Sequence, residues 1–311
     1  MDSIVGKVIL PETAIGAPAL ANFGDQHLVV AWTGTDSDHH LNIDTSTDGR
    51  SFGNKVTLGD TSVDGPALAA GNGRLFFAWT GTDAQHHVNV MSSTDLHSFG
   101  NKVTLGETSF FGPALAFGNG RVFLAWTGTD SNHSLNVMYS TDGQNFTNKV
   151  TLGDNSLSAP GLAFIDGTLF LLWRGTDSNR SLNIMQSTDG VHFANKVTLG
   201  DSSDHAPALV KHSGLWLTWT GRDAARSLNL MTGPQLSALG SKQTYSDTSI
   251  AAPALVDFRG ETYLGWTGTD TPSHVNVAQL GGPPSLSDSF IKLAPSLALE
   301  DWFSPWNTNE L

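Results

Sequence analysis

The chain has 311 residues, a formal net charge of −13, only 14% charged residues and no cysteine. The missing thiols exclude disulfides, zinc–thiolate sites and cysteine nucleophiles, and the acidic balance disfavours nucleic acid and anionic membranes as partners. No apolar run is long enough to insert in a membrane as a helix, and Met1 to Lys7 shows no basic region followed by an apolar core. With no signal peptide visible, the default expectation is a cytoplasmic protein, with secretion as the alternative.

The first recognisable segment is Lys7-Val8-Ile9-Leu10. It matches the fourth strand of a unit that then recurs six times, marked by Trp32, Trp79, Trp126, Trp173, Trp219 and Trp266. An Asn follows each Trp ten residues later: Asn42, Asn89, Asn136, Asn183, Asn229 and Asn276. A period of 46 or 47 residues is the signature of a stacked or ring-shaped repeat protein.

The second unit reads most clearly. Pro66 to Ala70 is a short apolar run, and Gly71-Asn72-Gly73 is an Asn-Gly hairpin turn. Arg74 to Thr80 is a run apolar on both faces, and Gly81 to His86 is a turn. Val88 to Ser92 alternates as a strand does, Ser93 to Phe99 turns, and Lys102 to Leu105 is a fourth strand. Four short antiparallel strands per repeat make a β-propeller blade. The sixth unit stops after its third strand, Ser273 to Leu280, so Lys7 to Leu10 is expected to complete it. The expectation is an all-β, six-bladed propeller over residues 1–281, its ring closed by the N-terminal strand pairing with the last blade. Residues 282–311 contain no copy of the unit, but carry Phe290, Leu293, Trp302, Phe303 and Trp306. They are expected to pack on the ring or to lead to a further module. Two pieces of this tail, Asp288 to Leu293 and Asp301 to Pro305, resemble segments of bacterial quinoprotein-type propellers.

Ser46-Thr47-Asp48-Gly49-Arg50-Ser51-Phe52 recurs at Ser93 to Phe99, Ser140 to Phe146 and Ser187 to Phe193. It resembles the Asp-box of the sialidase superfamily, in a form one residue shorter. There the box is scaffold: the Asp accepts turn amides and the aromatic plugs the blade. The resemblance implies a fold and not a reaction. The Arg-Ile-Pro segment of those enzymes is missing, and the only tyrosines are Tyr139, Tyr245 and Tyr263.

The six Gly-Thr/Arg-Asp turns fall on the face that also carries the blade-to-blade links, the usual ligand face of a propeller. Asp36, Asp83, Asp130, Asp177, Asp223 and Asp270 ring it. Three residues on stand His39, His86, His133, Arg180, Arg226 and Ser273. One reading is a repeated sugar site in which Asp accepts hydroxyls and His or Arg donates. The competing reading is that Asp closes its own turn. Trp173-Arg174-Gly175-Thr176-Asp177 is similar to the turn of Photorhabdus-type propeller lectins, and the resemblance implies sugar bound between blades.

The units differ just before their inner strands, at Gly16, Asp64, Phe111, Ser158, His205 and Ala251, and at the neighbouring Val63, Phe110, Leu157, Asp204 and Ile250. Asp64 and His205 are the candidate acid–base pair of an axial site, Phe110 and Phe111 its wall, and Arg174, Arg180, Arg222 and Arg226 its cationic corner. Two functions follow. The first is a lectin-like protein binding glycans through repeated turns. The second is a hydrolase or lyase with one pocket at the channel mouth, acting on a sugar-like or anionic molecule. No cofactor or metal is expected: the eleven histidines never fall at metal-ligand spacing on a helix.

Overall fold

The computed structural model describes residues 3–281, so the tail and its expected packing lie outside the described residues. Six four-stranded antiparallel sheets stand around one axis, each a blade. The blades span 19–61, 67–108, 114–155, 161–202 and 208–248, and the sixth joins 254–281 to Ser3–Thr13. In blade II the strands are Ala67–Gly71, Arg74–Thr80, His87–Ser93 and Gly100–Thr108, inner to outer.

Closure is as the half-built sixth unit requires. Ser3–Thr13 pairs antiparallel with His274–Gly281, placing Val8 opposite Val277 and Ile9 opposite Asn276. An open sheet edge is thereby replaced by a paired one.

The repeated residues have separate physical jobs. Each Trp lies on the second strand opposite its Asn on the third, as with Trp79 and Asn89. All six Trp side chains are at most 1% exposed and form the centres of the blade cores. The Asn is buried too. Asn89 Nδ2 donates to the His87 carbonyl at 2.8 Å, and its Oδ1 accepts from Thr104 Oγ1 at 2.6 Å. It therefore ties the second turn to the outer strand, and the same pair of bonds recurs in blades I, III, IV and V. The Gly after Trp-Thr has a steric cause: a Cβ on Gly81 would stand 2.7 Å from Asp83 Oδ2 and 3.1 Å from Asn89 Nδ2.

A second layer lies outside the tryptophans. Lys7, Lys55, Lys102, Lys149, Lys196 and Lys242 each place their ammonium 5.1–5.6 Å from the ring centroid of their own blade's Trp. Each also forms an ion pair with an acid on the preceding blade's outer strand, such as Lys149 with Glu107 at 2.5 Å and Lys102 with Asp60. The N-terminal strand supplies both sides of this arrangement, Lys7 toward Asp247 and Glu12 toward Lys55. The residue before the Lys is left-handed in five blades: Gly6, Asn101, Asn148, Asn195 and Ser241. It sits where the outer-strand register shifts, a bulge that turns the Lys back over the ring. Blade I lacks it. Its outer strand starts late, at Val56, and the buried Asp44 accepts the freed amides of Gly53 and Asn54 at 3.1 and 2.8 Å.

Candidate functional site

Antiparallel connectivity puts the second-to-third-strand turns and the blade-to-blade links at one end of the ring, and both other turns at the far end. The four Ser-x-Asp turns belong to that far end. Asp142 Oδ1 accepts from the amides of Gln144 and Asn145, both at 2.8 Å. Asp48, Asp95 and Asp189 do the same, and these amide bonds hold three of the four carboxyls far below the usual range, with His192 the leading donor to Asp189. Phe52, Phe99, Phe146 and Phe193 pack on the cores behind them. Blade V, which lacks the motif, buries Leu236 from a short 3-10 turn instead. Tyr263 packs on Phe258 beside the Gly49 turn, and Tyr139 receives a hydrogen bond from Asn148, so both stand at this end, away from the links.

At the link end the six Asp residues serve their own turns. Both oxygens of Asp83 are engaged: Oδ1 by Gln85 N–H at 3.1 Å and His87 Nδ1 at 2.7 Å, Oδ2 by His87 N–H at 3.1 Å. Asp36, Asp130, Asp177 and Asp223 follow the same scheme, with Ser134, Ser181 and Ser227 replacing the His in blades III–V, and Asp270 is held by the His274 N–H and ring, Pro272 having no N–H to give. Burial alone would raise these carboxyls; the turn donors outweigh it and hold all six below the ordinary value. This is the turn-closing role.

The residues one turn further along are placed differently. His39, His86, His133, Arg180 and Arg226 all have positive φ, between 54° and 59°. Non-glycine residues rarely adopt it, and such strain persists only where surroundings enforce it. Here both backbone groups are pinned: His86 N–H donates to the Asp83 carbonyl at 2.9 Å, and its own carbonyl accepts from Ser109 N–H at 3.0 Å. Beside each stands a residue of the next link: Val63, Phe110, Leu157, Asp204 and Ile250, with Ile15 beside Ser273. Phe110 is 50% exposed and meets His86 edge-on at 5.6 Å; Leu157 is 42% exposed. Ile15 went unnoticed in the sequence, although aligning the six links would have found it.

At the link end the axis is narrower than the acid–base reading supposes. At that end the channel encloses about 160 Å³ lined by Ala, Pro, Gly and Leu, with Asp64 the one ionisable residue there, and toward the far end it widens to about 450 Å³ with Asp166, Lys211 and Asp257 in its lining. Asp64 is a tie between links, accepting from Gly65 N–H at 2.7 Å and Gly112 N–H at 2.9 Å. His205 is half-buried across the mouth. Burial pulls it below its ordinary value, against the charges of Asp64 and Asp204 and a hydrogen bond to the Ile250 backbone. The two share this through-space interaction and no direct hydrogen bond. Phe111 is half-buried, and its carbonyl accepts from Thr80 at 2.7 Å.

That last bond recurs. Thr33, Thr127, Thr220 and Thr267 likewise donate to Asp64, Ser158, Ala251 and Gly16 carbonyls. Only blade IV breaks the series, with Arg174. Its side chain is buried, 8% exposed, and reaches the Leu157 carbonyl at 2.9 Å, with Nε unpartnered. Arg180 forms an ion pair with Asp204, and Arg222 Nε lies 3.5 Å from the same carboxylate. Burial, and then Arg180, depress the Arg174 guanidinium's affinity for its proton. Next to this group a cleft of about 340 Å³ is lined by His205, Thr220, Arg222, Asp223, Arg226 and Ile250, with Asp204 at its side. Thus Arg180 and Arg222 meet at Asp204, with Arg174 linked to them through space only; Arg226 lines the cleft; Asp64 lies across the mouth, tied to its amides. Among the described residues no group of three or more His, Asp or Glu is disposed to hold a metal ion.

The ring has known structural relatives. A protein of unknown function from Dyadobacter fermentans aligns with a TM-score of 0.72 at 14% identity, covering 91% of this chain and 99% of its own. A Trypanosoma rangeli sialidase aligns with a TM-score of 0.62 at 13% identity over 92% of this chain. The chain spans 60% of that sialidase's length. GH43B of a Bacteroides ovatus xyloglucan PUL aligns at 0.52 and 14% identity over 72% of this chain and 54% of its own. At these identities the likeness is one of fold. No protein-family model matches the sequence, and no curated protein does.

Proposed function

We propose that the protein is a carbohydrate-binding propeller whose ligand face is the link end of the ring. The observation that carries this is His86 beside Phe110: a polar ring on a pinned, left-handed backbone, edge-on to a half-exposed aromatic. A flat apolar surface with a hydrogen-bonding group beside it suits a sugar, whose ring has an apolar face rimmed by hydroxyls. His39 and His133 are held by the same backbone bond to the links that carry Val63 and Leu157, and Arg180 and Arg226 supply guanidiniums in blades IV and V. The Asp carboxylates shape the turns that present these side chains. Several weak sites on one face act together on a branched or clustered glycan through avidity, which can exceed single-site affinity by about 10²–10⁴.

Relatives of this fold include proteins named as sialidases, which is compatible with a sugar ligand. The alternative is an enzyme with one axial pocket around Asp64 and His205. It has less support, because Asp64 is engaged by two amides and the channel around it, at the link end, is narrow and apolar.

The test is a glycan array followed by titration calorimetry with the strongest ligand. Several equivalent sites per chain are expected, with Phe110→Ala removing the blade II site. A stoichiometry near one, unchanged in Phe110→Ala, would overturn the repeated-site reading in favour of the axial one.

A further inference from the structure

We infer that the cleft at the top of blade V, between the two links that flank it, is a separate site for an oxyanion, a carboxylate or a sulfate group, and that Asp204 occupies part of it as a built-in competitor. This does not depend on the sugar reading of the other blades.

Blade IV breaks a rule that the other five blades keep. Where the other blades place a small hydroxyl donor, blade IV places Arg174, and buries it. A buried guanidinium is retained at a cost unless paired with an anion. Arg174 has carbonyl oxygens of Leu157 and Gly175, at 2.9 and 3.4 Å, and no carboxylate in contact. Two further guanidiniums stand close enough to repel it, Arg180 and Arg222. Fold alone gives no reason to gather three like charges in one place.

Besides the turn-bound Asp177 and Asp223, the acid drawn into the group is Asp204, on the link between blades IV and V. At that link position the other blades carry Ile15, Val63, Phe110, Leu157 and Ile250. An acid therefore stands where the fold elsewhere puts an apolar residue, and it pairs with Arg180 and Arg222. It remains close to half exposed, so it is a displaceable partner and not a sealed one. Four guanidiniums, Arg174, Arg180, Arg222 and Arg226, stand against three carboxylates, Asp177, Asp204 and Asp223, so the group keeps a net positive charge beside an open cleft of about 340 Å³. Arg222 and Arg226 line that cleft and can reach an incoming anion; Arg174 stands outside the lining and acts through its field. Arginine's fork of donors matches carboxylate and sulfate oxygens. Thr220, also in the lining, has its hydroxyl committed to the Ala251 carbonyl.

The assignment makes two opposite predictions. Arg174→Thr installs the residue found in the five other blades, so it is compatible with the fold, and it should weaken anion binding about tenfold or more. Asp204→Asn removes the competitor and should tighten binding about two- to fivefold, the scale of one exposed ion pair. Binding is measured by calorimetry with sodium sulfate against sodium chloride at fixed ionic strength, and with methyl glucuronide against methyl glucoside. One saturable site is expected. Sulfate and glucuronide both binding assigns a general oxyanion site; glucuronide alone binding assigns a sugar carboxylate as the source. No saturable binding of either anion by the wild type, equal affinity in Arg174→Thr, or weaker binding in Asp204→Asn would each overturn the proposal. Phe110→Ala serves as the separating control: it should abolish a neutral-glycan site in blade II and leave anion binding intact.

Discussion

The outer wall of the ring and its rim at the link end are made from the same six units, and they have diverged to different degrees. On the wall, every blade keeps a buried Trp, a buried Asn and a Lys lying over the Trp while pairing with the blade behind. On the rim, the corresponding positions hold Ile15, Val63, Phe110, Leu157, Asp204 and Ile250. The wall positions fill closed space or satisfy buried polar groups, so each has one good solution and six blades reuse it. The rim residues project into solvent or toward the channel mouth, where packing sets no such demand. The difference locates the part of the molecule that is free to carry function.

Mutations can break or sharpen this contrast. The largest effect is expected from Trp79→Ala, which empties the centre of a blade core and should cost about 3–5 kcal/mol in urea unfolding. A loss below about 1 kcal/mol would mean that the wall is not the rigid partner in the comparison. A smaller, pH-dependent effect should come from the far-end turns. Asp48, Asp95, Asp142 and Asp189 are held below 3.8 in the fold, chiefly by hydrogen-bond donors of their own turns. Their contribution is therefore present above that value and is lost as the pH falls through it toward the lower folded values. Thermal melts should show stability dropping in acid below about pH 4, and Asp142→Asn should flatten part of that slope while lowering stability at pH 7. The smallest effect is expected at the rim. Phe110→Ser and Leu157→Ser should shift stability by no more than about 0.5 kcal/mol, while altering ligand binding.

The fold was legible because its signals are periodic. The Trp and Asn spacing, the Asn-Gly hairpins and the missing fourth strand of the last unit each constrain the ring independently. The Lys layer was equally periodic, with Lys55, Lys102, Lys149, Lys196 and Lys242 each 23 residues after a Trp. It was overlooked because charged residues on outer strands read as ordinary solvated surface. The site was less legible. An Asp in a turn can face inward to its amides or outward to a ligand, and sequence spacing is the same for both; the hydrogen bonds decide. Asp64 and His205 read as a candidate acid–base pair, yet nothing in the chain foretold that two glycine amides would occupy Asp64. Arg174, by contrast, stood out as soon as the six Trp-Thr-Gly copies were aligned, and the burial of its side chain is what the sequence did not reveal.

The pairing of Ser3–Thr13 with His274–Gly281 has a consequence for how the molecule is made. A ribosome adding about 5–20 residues per second exposes the first partner tens of seconds before the second exists. Through that interval the early strand has a ladder edge with no mate, and the nascent array is an arc with two raw ends. The final joining step is therefore the one at which neighbouring nascent chains can trade strands. Crowded synthesis should yield swapped oligomers, whereas dilute refolding should yield single closed rings.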